Sequence, residues 1–171
     1  MTATRAYILA AFVFILDQLS KLWVVNGLEL ERLGSVPLIP SLSLTWVENT
    51  GVAMGMLEAG GEDIARWGLV VLTAAIALAI IWWINSERDN VDLAAMGLIL
   101  GGAIGNIVDR ARLGYVIDFV HFYIGDWSFY VFNIADAGIS VGVAVLLLRA
   151  FLWPDGQKRA RQREAVDPPG K

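Results

Sequence analysis

The sequence predicts an all-α membrane bundle of four transmembrane helices, with a small extracytoplasmic β-like, amphipathic segment between helices 1 and 2. Three observations carry that expectation. Of 171 residues, 57% are hydrophobic and only 18% charged, where a soluble domain carries about 25% charged, and the mean hydropathy is +0.59. Four apolar stretches each approach the roughly 20 residues needed to cross a bilayer as a helix. The connector Gly27–Ala65 is long for a plain link, which marks it as structured or functional, and contains Ser41-Leu-Ser-Leu-Thr-Trp46, whose polar–apolar alternation suits a strand at the membrane surface.

The first span runs from about Ala6 to Val25. It is expected to be retained rather than cleaved as a leader, because no small-x-small site follows it and Asp17, Gln18 and Lys21 interrupt its far end. The second span runs from about Trp67 to Ile84, the third from Val91 to Val108 and the fourth from Ile134 to Trp153. Residues 1–153 are read as one domain and Pro154–Lys171 as a disordered polar tail. Between spans three and four, Arg112–Phe132 is rich in aromatic residues, a composition suited to the headgroup boundary.

Orientation follows from the basic residues near span ends. Arg5, Arg88, Lys158, Arg159, Arg161 and Arg163 fall on one side of a four-span chain. The other side has Arg32, Arg66 and Arg112 among the acids Glu29, Glu31, Glu48, Glu58, Glu62 and Asp63. Both termini are therefore expected in the cytoplasm. Asp17 and Lys21, Asn106, Asp109 and Arg110, and Asn133 and Asp136 then reach one level near the outer face from three separate spans.

Composition also narrows the chemistry. A net charge of −4 opposes nucleic-acid binding. The absence of cysteine excludes thiolate catalysis, thiolate metal sites and disulfides. A lone histidine, His121, leaves little scope for a His-rich metal site or a Ser-His triad. No metal or cofactor is expected, and the chemistry falls to carboxylates, amides, Lys and Arg.

Asp118 and Asp136 are the candidate catalytic pair. Asp118 lies in Tyr115-Val-Ile-Asp118-Phe119 just after span three, and Asp136 about one turn inside span four. Two close carboxylates resist joint ionisation, so one keeps a proton. The ionised one can deprotonate water while the other polarises a scissile carbonyl. Taken alone, Asp136 is equally explained by the helix dipole, which favours a negative charge in the first turn.

The supporting candidates surround this pair. Gly102, Asn106 and Arg110 form one stripe at i, i+4 and i+8 of span three. Asn106 suits fixing an Asp rotamer. Arg110 suits holding Asp118 or Asp109, or binding a substrate carbonyl or phosphate; snorkelling to the surface, with Asp109 capping or paired to it, accounts for it as well. Asp17 and Lys21 are spaced as a helical ion pair that should face the bundle interior. A Ser20–Lys21 dyad is disfavoured, since adjacent helical residues point about 100° apart. Asn49-Thr-Gly-Val-Ala53 suits gripping a peptide main chain, although a turn explains it too. Gly97, Gly101 and Gly105, with Gly138 and Gly142, indicate close helix packing. His121 and Asp126 are read as non-catalytic, the latter in a turn.

Five ordered blocks then resemble the bacterial lipoprotein signal peptidases, or signal peptidase II. They are Asp17-Gln-Leu-Ser-Lys21, Asn49-Thr-Gly-Val-Ala53, Gly105-Asn-Ile-Val-Asp-Arg110, Val116-Ile-Asp118-Phe119 and Phe132-Asn-Ile-Ala-Asp136. The resemblance implies that Asp118 and Asp136 are a catalytic dyad, with Asn49, Asn106, Arg110 and Asn133 around it and Asp17 and Lys21 in support. It implies a diacylglyceryl-modified prolipoprotein substrate in membrane lipid, cut before the lipidated cysteine, and inhibition by the cyclic peptide globomycin. A proton-coupled transporter using the acids as a relay is the leading alternative, opposed by the apolar inner halves of the spans. A non-catalytic assembly subunit leaves the converging acids unexplained. A presenilin-type enzyme lacks its Gly-x-Gly-Asp, since Tyr123-Ile-Gly-Asp126 has no first glycine.

Overall fold

The computed structural model describes residues 2–51, 61–125 and 127–152. Val52, Ala53, Glu58, Asp126, Trp153 and the 154–171 tail, with Lys158, Arg159, Arg161 and Arg163, lie outside the described residues, as does the side chain of Glu62. Among the described residues there are four long helices: α1 (Ala3–Leu22), α3 (Gly61–Ser86), α4 (Asn90–Leu113) and α5 (Ile134–Leu152). All four are long and apolar enough to cross a membrane. The π-helical stretch Trp23–Gly27 extends α1, and a single turn, α2 (Leu30–Leu33), follows it.

The central helix is α4, which packs against α1, α3 and α5. Lipid tails are as apolar as Leu, so such packing depends on close backbone approach rather than on escape from water. A Cβ added at Gly97 would stand 2.7 Å from the Ala6 carbonyl oxygen of α1, and one at Gly142 2.6 Å from the Ala95 oxygen of α4. The glycine stripes therefore do what their spacing predicts. Ala6, Ala10, Ala77, Ile80, Ile84, Met96 and Leu100 fill the seam between α1, α3 and α4. At one end of the bundle, Asp89 caps α4 by accepting from the Val91 and Asp92 amides, and its carboxylate meets Arg149 of α5 at 2.7 Å. A cap of this kind contributes about 1 kcal/mol.

The other end carries a four-stranded antiparallel sheet in the order β1 (Ser35–Ile39), β2 (Leu42–Asn49), β3 (Val116–Ile124) and β4 (Trp127–Phe132). The expected strand at Ser41–Trp46 falls mostly within β2, yet it is one of four. Half of the sheet comes from the connection between α4 and α5, where the sequence suggested only interfacial aromatics. Val116, Ile117, Asp118 and Phe119 are all buried, so the segment has no polar face and the period-2 pattern that marks a half-exposed strand is absent. Val24, Leu30, Leu44, Ile117 and Phe119 pack beneath the sheet, with Trp46 and Ile134 against them. This second core ties the sheet to the end of α1 and the start of α5. Helix α4 continues to Leu113, so Asp109 and Arg110 stand in its closing turns, and Gly114 at φ 94° ends it. Positive φ is costly for any residue with a Cβ.

Candidate active site

Where the sheet meets the bundle, polar side chains from α1, β2, β3, α4 and α5 converge. The start of α5 builds the centre. Asn133 is its cap: the Asn133 Oδ1 accepts from the Asp136 amide at 2.9 Å, and the Asn133 amide donates back to the Asp136 carboxylate at 3.4 Å. This reciprocal capping box fixes the Asp136 backbone and rotamer together. The same Asn133 donates through Nδ2 to Asp118 Oδ1 at 2.6 Å. Helix start and β3 are thereby joined through one amide.

Each carboxylate holds further donors. Asn106 Nδ2 donates to Asp136 Oδ1 at 2.8 Å, and Asn49 Nδ2 donates to Asp118 Oδ2 at 2.9 Å. Asn49 also donates to the Tyr130 hydroxyl at 2.8 Å, while its own Oδ1 accepts from the Gly51 amide at 2.8 Å. Asp118 and Asn133 are fully buried. Burial pushes the Asp118 carboxyl up to about 6, with the nearby Asp136 charge adding to the rise; the Asn49 and Asn133 hydrogen bonds and the Lys21 charge oppose it. The Tyr130 hydroxyl is raised as well, by burial first and then by the Asp118 and Asp136 charges.

A layer below, Lys21 Nζ lies 2.7 Å from Asp17 and 2.7 Å from Asp109, with all three side chains buried. The spacing-based Asp17–Lys21 pair is thus present, and a second acid from α4 completes it. Gln18 closes the cluster, donating to Asp17 at 3.1 Å and to Asp109 at 3.0 Å. Asp17 Oδ1 also accepts from the Ala135 amide at 3.0 Å, one of the donors that a helix start leaves unpaired. Span one therefore reaches the base of the helix that carries Asp136.

The sequence candidates sort as follows. Asn49, Asn106, Asn133, Asp118 and Asp136 form one hydrogen-bonded set, and Asp17 and Lys21 support it from α1. Gly102 makes no polar contact; it lets α5 approach, since a Cβ there would abut the Ala135 oxygen and stand 2.8 Å from Ile139 Cγ1. Asp109 pairs with Lys21, and no Arg110–Asp109 ion pair occurs among the described residues. The Arg110 Nε is buried and has no partner among the described residues. His121 sits elsewhere, within reach of Thr45 at 3.3 Å and Ser43 at 3.5 Å through Nδ1 and of Ser128 at 2.6 Å through Nε2. Gln18, Tyr130 and Arg66 carry no site role in the sequence reading. Gln18 had a legible signal, as a third polar residue in the far half of the first apolar span. Tyr130 had none, being one aromatic among many.

Four membrane-length helices around buried carboxylates define a multi-pass membrane protein. Comparison with known proteins identifies its kind. The model of the signal peptidase (SPase) II family matches residues 9–152. A lipoprotein signal peptidase of Rhizorhabdus wittichii is 49% identical over 158 residues, covering 92% of this chain and 91% of that protein. One of Sphingopyxis alaskensis is 44% identical, covering 94% and 92%, and one of Caulobacter vibrioides 42%, covering 86% of each. A solved bacterial membrane enzyme, determined by the in meso method at 2.3 Å resolution, superposes with a TM-score of 0.74 at 28% identity, covering 91% of this chain and 92% of that one. The chain belongs to the signal peptidase II family, and it is a peptidase.

Proposed function

We propose that this chain removes signal peptides from diacylglyceryl-modified prolipoproteins, cutting immediately before the lipidated cysteine with Asp118 and Asp136 as the catalytic dyad. The observation that carries the reading is the pair of carboxylates linked through Asn133, with each carboxylate held by a further amide donor. Asp118, raised to about 6, is the partner suited to carry the proton. Asp136 takes a proton from water, whose oxygen adds to the scissile carbonyl carbon as the Asp118 proton passes to the carbonyl oxygen. Collapse re-forms the carbonyl and breaks the C–N bond. The leaving amine takes the proton from Asp136, and the second hydroxyl of the intermediate returns one to Asp118. No metal or cofactor enters the cycle.

Residues 1–153 act as one peptidase domain and 154–171 as a cytoplasmic tail. Both termini lie in the cytoplasm of a bacterial inner-membrane protein, and the dyad lies near the outer face. That depth suits the substrate, because the cleavage site of a membrane-spanning signal helix emerges where its lipid anchor meets the headgroups. Arg110, whose Nε has no partner among the described residues, meets a substrate carbonyl. A globomycin-like cyclic peptide competes for the same site.

The test is cleavage of a diacylglyceryl-modified prolipoprotein by the full chain in lipid, read by gel shift beside Asp118→Asn, Asp136→Asn and Asp126→Asn. Cleavage before the modified cysteine, lost in the first two variants and kept in the third, supports the assignment. A folded wild type that cuts nothing removes it.

A further inference from the structure

Arg66 enters the sequence reading only as a charge near a span end, yet its guanidinium closes the end of another helix. Its Nε donates to the Arg110 carbonyl at 2.7 Å and its Nη2 to the Ala111 carbonyl at 2.9 Å. Both carbonyls belong to the last turn of α4, whose acceptors have no intrahelical donors. A cation there also meets the negative end of the helix dipole. The Gly114 amide donates to the same Arg110 oxygen at 3.1 Å, so this one carbonyl collects the helix cap and the α3 clamp together. Asp63, at 3.9 Å, and the Trp67 ring, 5.1 Å from Cζ to its centroid, hold the guanidinium from its own helix.

The clamp lies beside the dyad layer. One turn along α3, Leu69 touches the loop that follows Asn49: a Cβ at Gly51, where φ is 75°, would stand 2.6 Å from Leu69 Cδ1 and 3.5 Å from Arg110 Nη2. The Arg110 side chain therefore passes through a corner made by α3, the Gly51 loop and the end of α4. Four residues beyond Gly114 the chain reaches Asp118.

We infer that Arg66 is a positioning residue for Arg110. It holds the Arg110 peptide through two of α4's last carbonyls, and so sets where the buried Arg110 Nε points when substrate arrives. The inference rests on the proposed reading that Arg110 meets the substrate. A role confined to stapling helices would lower stability without any dependence on Arg110.

A double-mutant cycle on the full chain in lipid separates the two, with the diacylglyceryl-modified prolipoprotein as substrate. Arg66→Ala is expected to lower kcat/KM by about tenfold, the size expected for losing a charge-assisted hydrogen bond. The loss should fall mainly on KM and leave the pH profile in place. In an Arg110→Ala background, Arg66→Ala should have almost no further effect. Arg66→Lys keeps the charge but not the two-carbonyl fork, and should fall between; it also serves if the alanine variant does not fold. Additive effects, or wild-type kinetics in Arg66→Ala, overturn the inference. Amide hydrogen exchange across residues 110–118 adds a readout independent of activity: faster exchange is expected in Arg66→Ala, unchanged exchange sinks the inference, and the double-mutant cycle separates positioning from stapling. Failure of wild-type cleavage, or cleavage that survives Asp118→Asn and Asp136→Asn, would instead count against the proposed function.

Discussion

Asn133, the residue that starts α5, donates a 2.6 Å hydrogen bond to Asp118 on β3. The two are 15 residues apart, on different elements, and both fully buried. Because Asn133 also caps the helix that carries Asp136, a single amide side chain sets the relation between the two carboxylates. Its removal should be felt by both.

Asn133→Ala takes the cap from α5 and a donor from Asp118. A lost cap costs about 1 kcal/mol, and a buried acceptor left unpaired about 1–3 kcal/mol more. Thermal unfolding in detergent should show a clear drop. Cleavage should fall by about 100-fold or more, since the geometry of the proposed dyad is disturbed at both ends. Kinetics within a factor of about two of wild type would detach Asn133 from catalysis.

The pH dependence follows from Asp118. Its carboxyl is raised from 3.8 to about 6, so between those values the folded state binds more protons than the unfolded chain. Its contribution to stability is therefore greatest below the lower value and is lost as pH rises through about 6. If the dyad works with one proton, kcat/KM declines as that proton leaves. Asn49 donates to Asp118 and favours its charged form, so Asn49→Ala should move the alkaline limb to higher pH. An unmoved or lowered limb would contradict this account.

Lys21 neutralises two acids from different spans, at 2.7 Å each. Lys21→Met leaves Asp17 and Asp109 buried without their cation, and breaking such a cluster from one side typically costs about 3–5 kcal/mol. Unfolding measured in detergent should show a loss of that size. Arg32→Met removes an ion pair whose side chains are both mostly exposed, and should cost less than about 1 kcal/mol.

Gly102→Val tests packing apart from polarity. The new Cβ would meet the Ala135 carbonyl and Ile139 of α5, pushing Asp136 away from Asn106. Membrane insertion should be unchanged, because span length and apolarity are kept. Cleavage should fall at least about tenfold, with the loss in kcat. Wild-type turnover would mean that α5 can shift without disturbing the proposed dyad.

Much of this molecule is legible before any coordinates. The four spans follow from uninterrupted apolar length, which only a helix can satisfy in lipid. The convergence of Asp17, Lys21, Asn106, Asp109, Asn133 and Asp136 follows from their depth along spans of alternating direction. The i, i+4 pairing of Asp17 with Lys21 is local geometry, and so is the glycine face of α4.

What remained hidden was non-local. Depth places Asp109 beside Lys21 and beside Arg110 alike; the structure pairs it with Lys21 because α1 packs closely on the glycine face of α4, while the Arg110 carbonyl is drawn toward Arg66 of α3. Strand β3 lacks a half-exposed alternation because it is buried on both faces where it enters the site, and β4 lacks one because Trp127–Tyr130 are all exposed. Asn133 as the link between the carboxylates depends on the register of β3 against β2 and on the cap of α5, two features set by separate elements. Periodicity along one chain reports which way a side chain faces its own backbone. Which partner it meets there depends on how closely two backbones approach, and only the packed tertiary structure determines that distance.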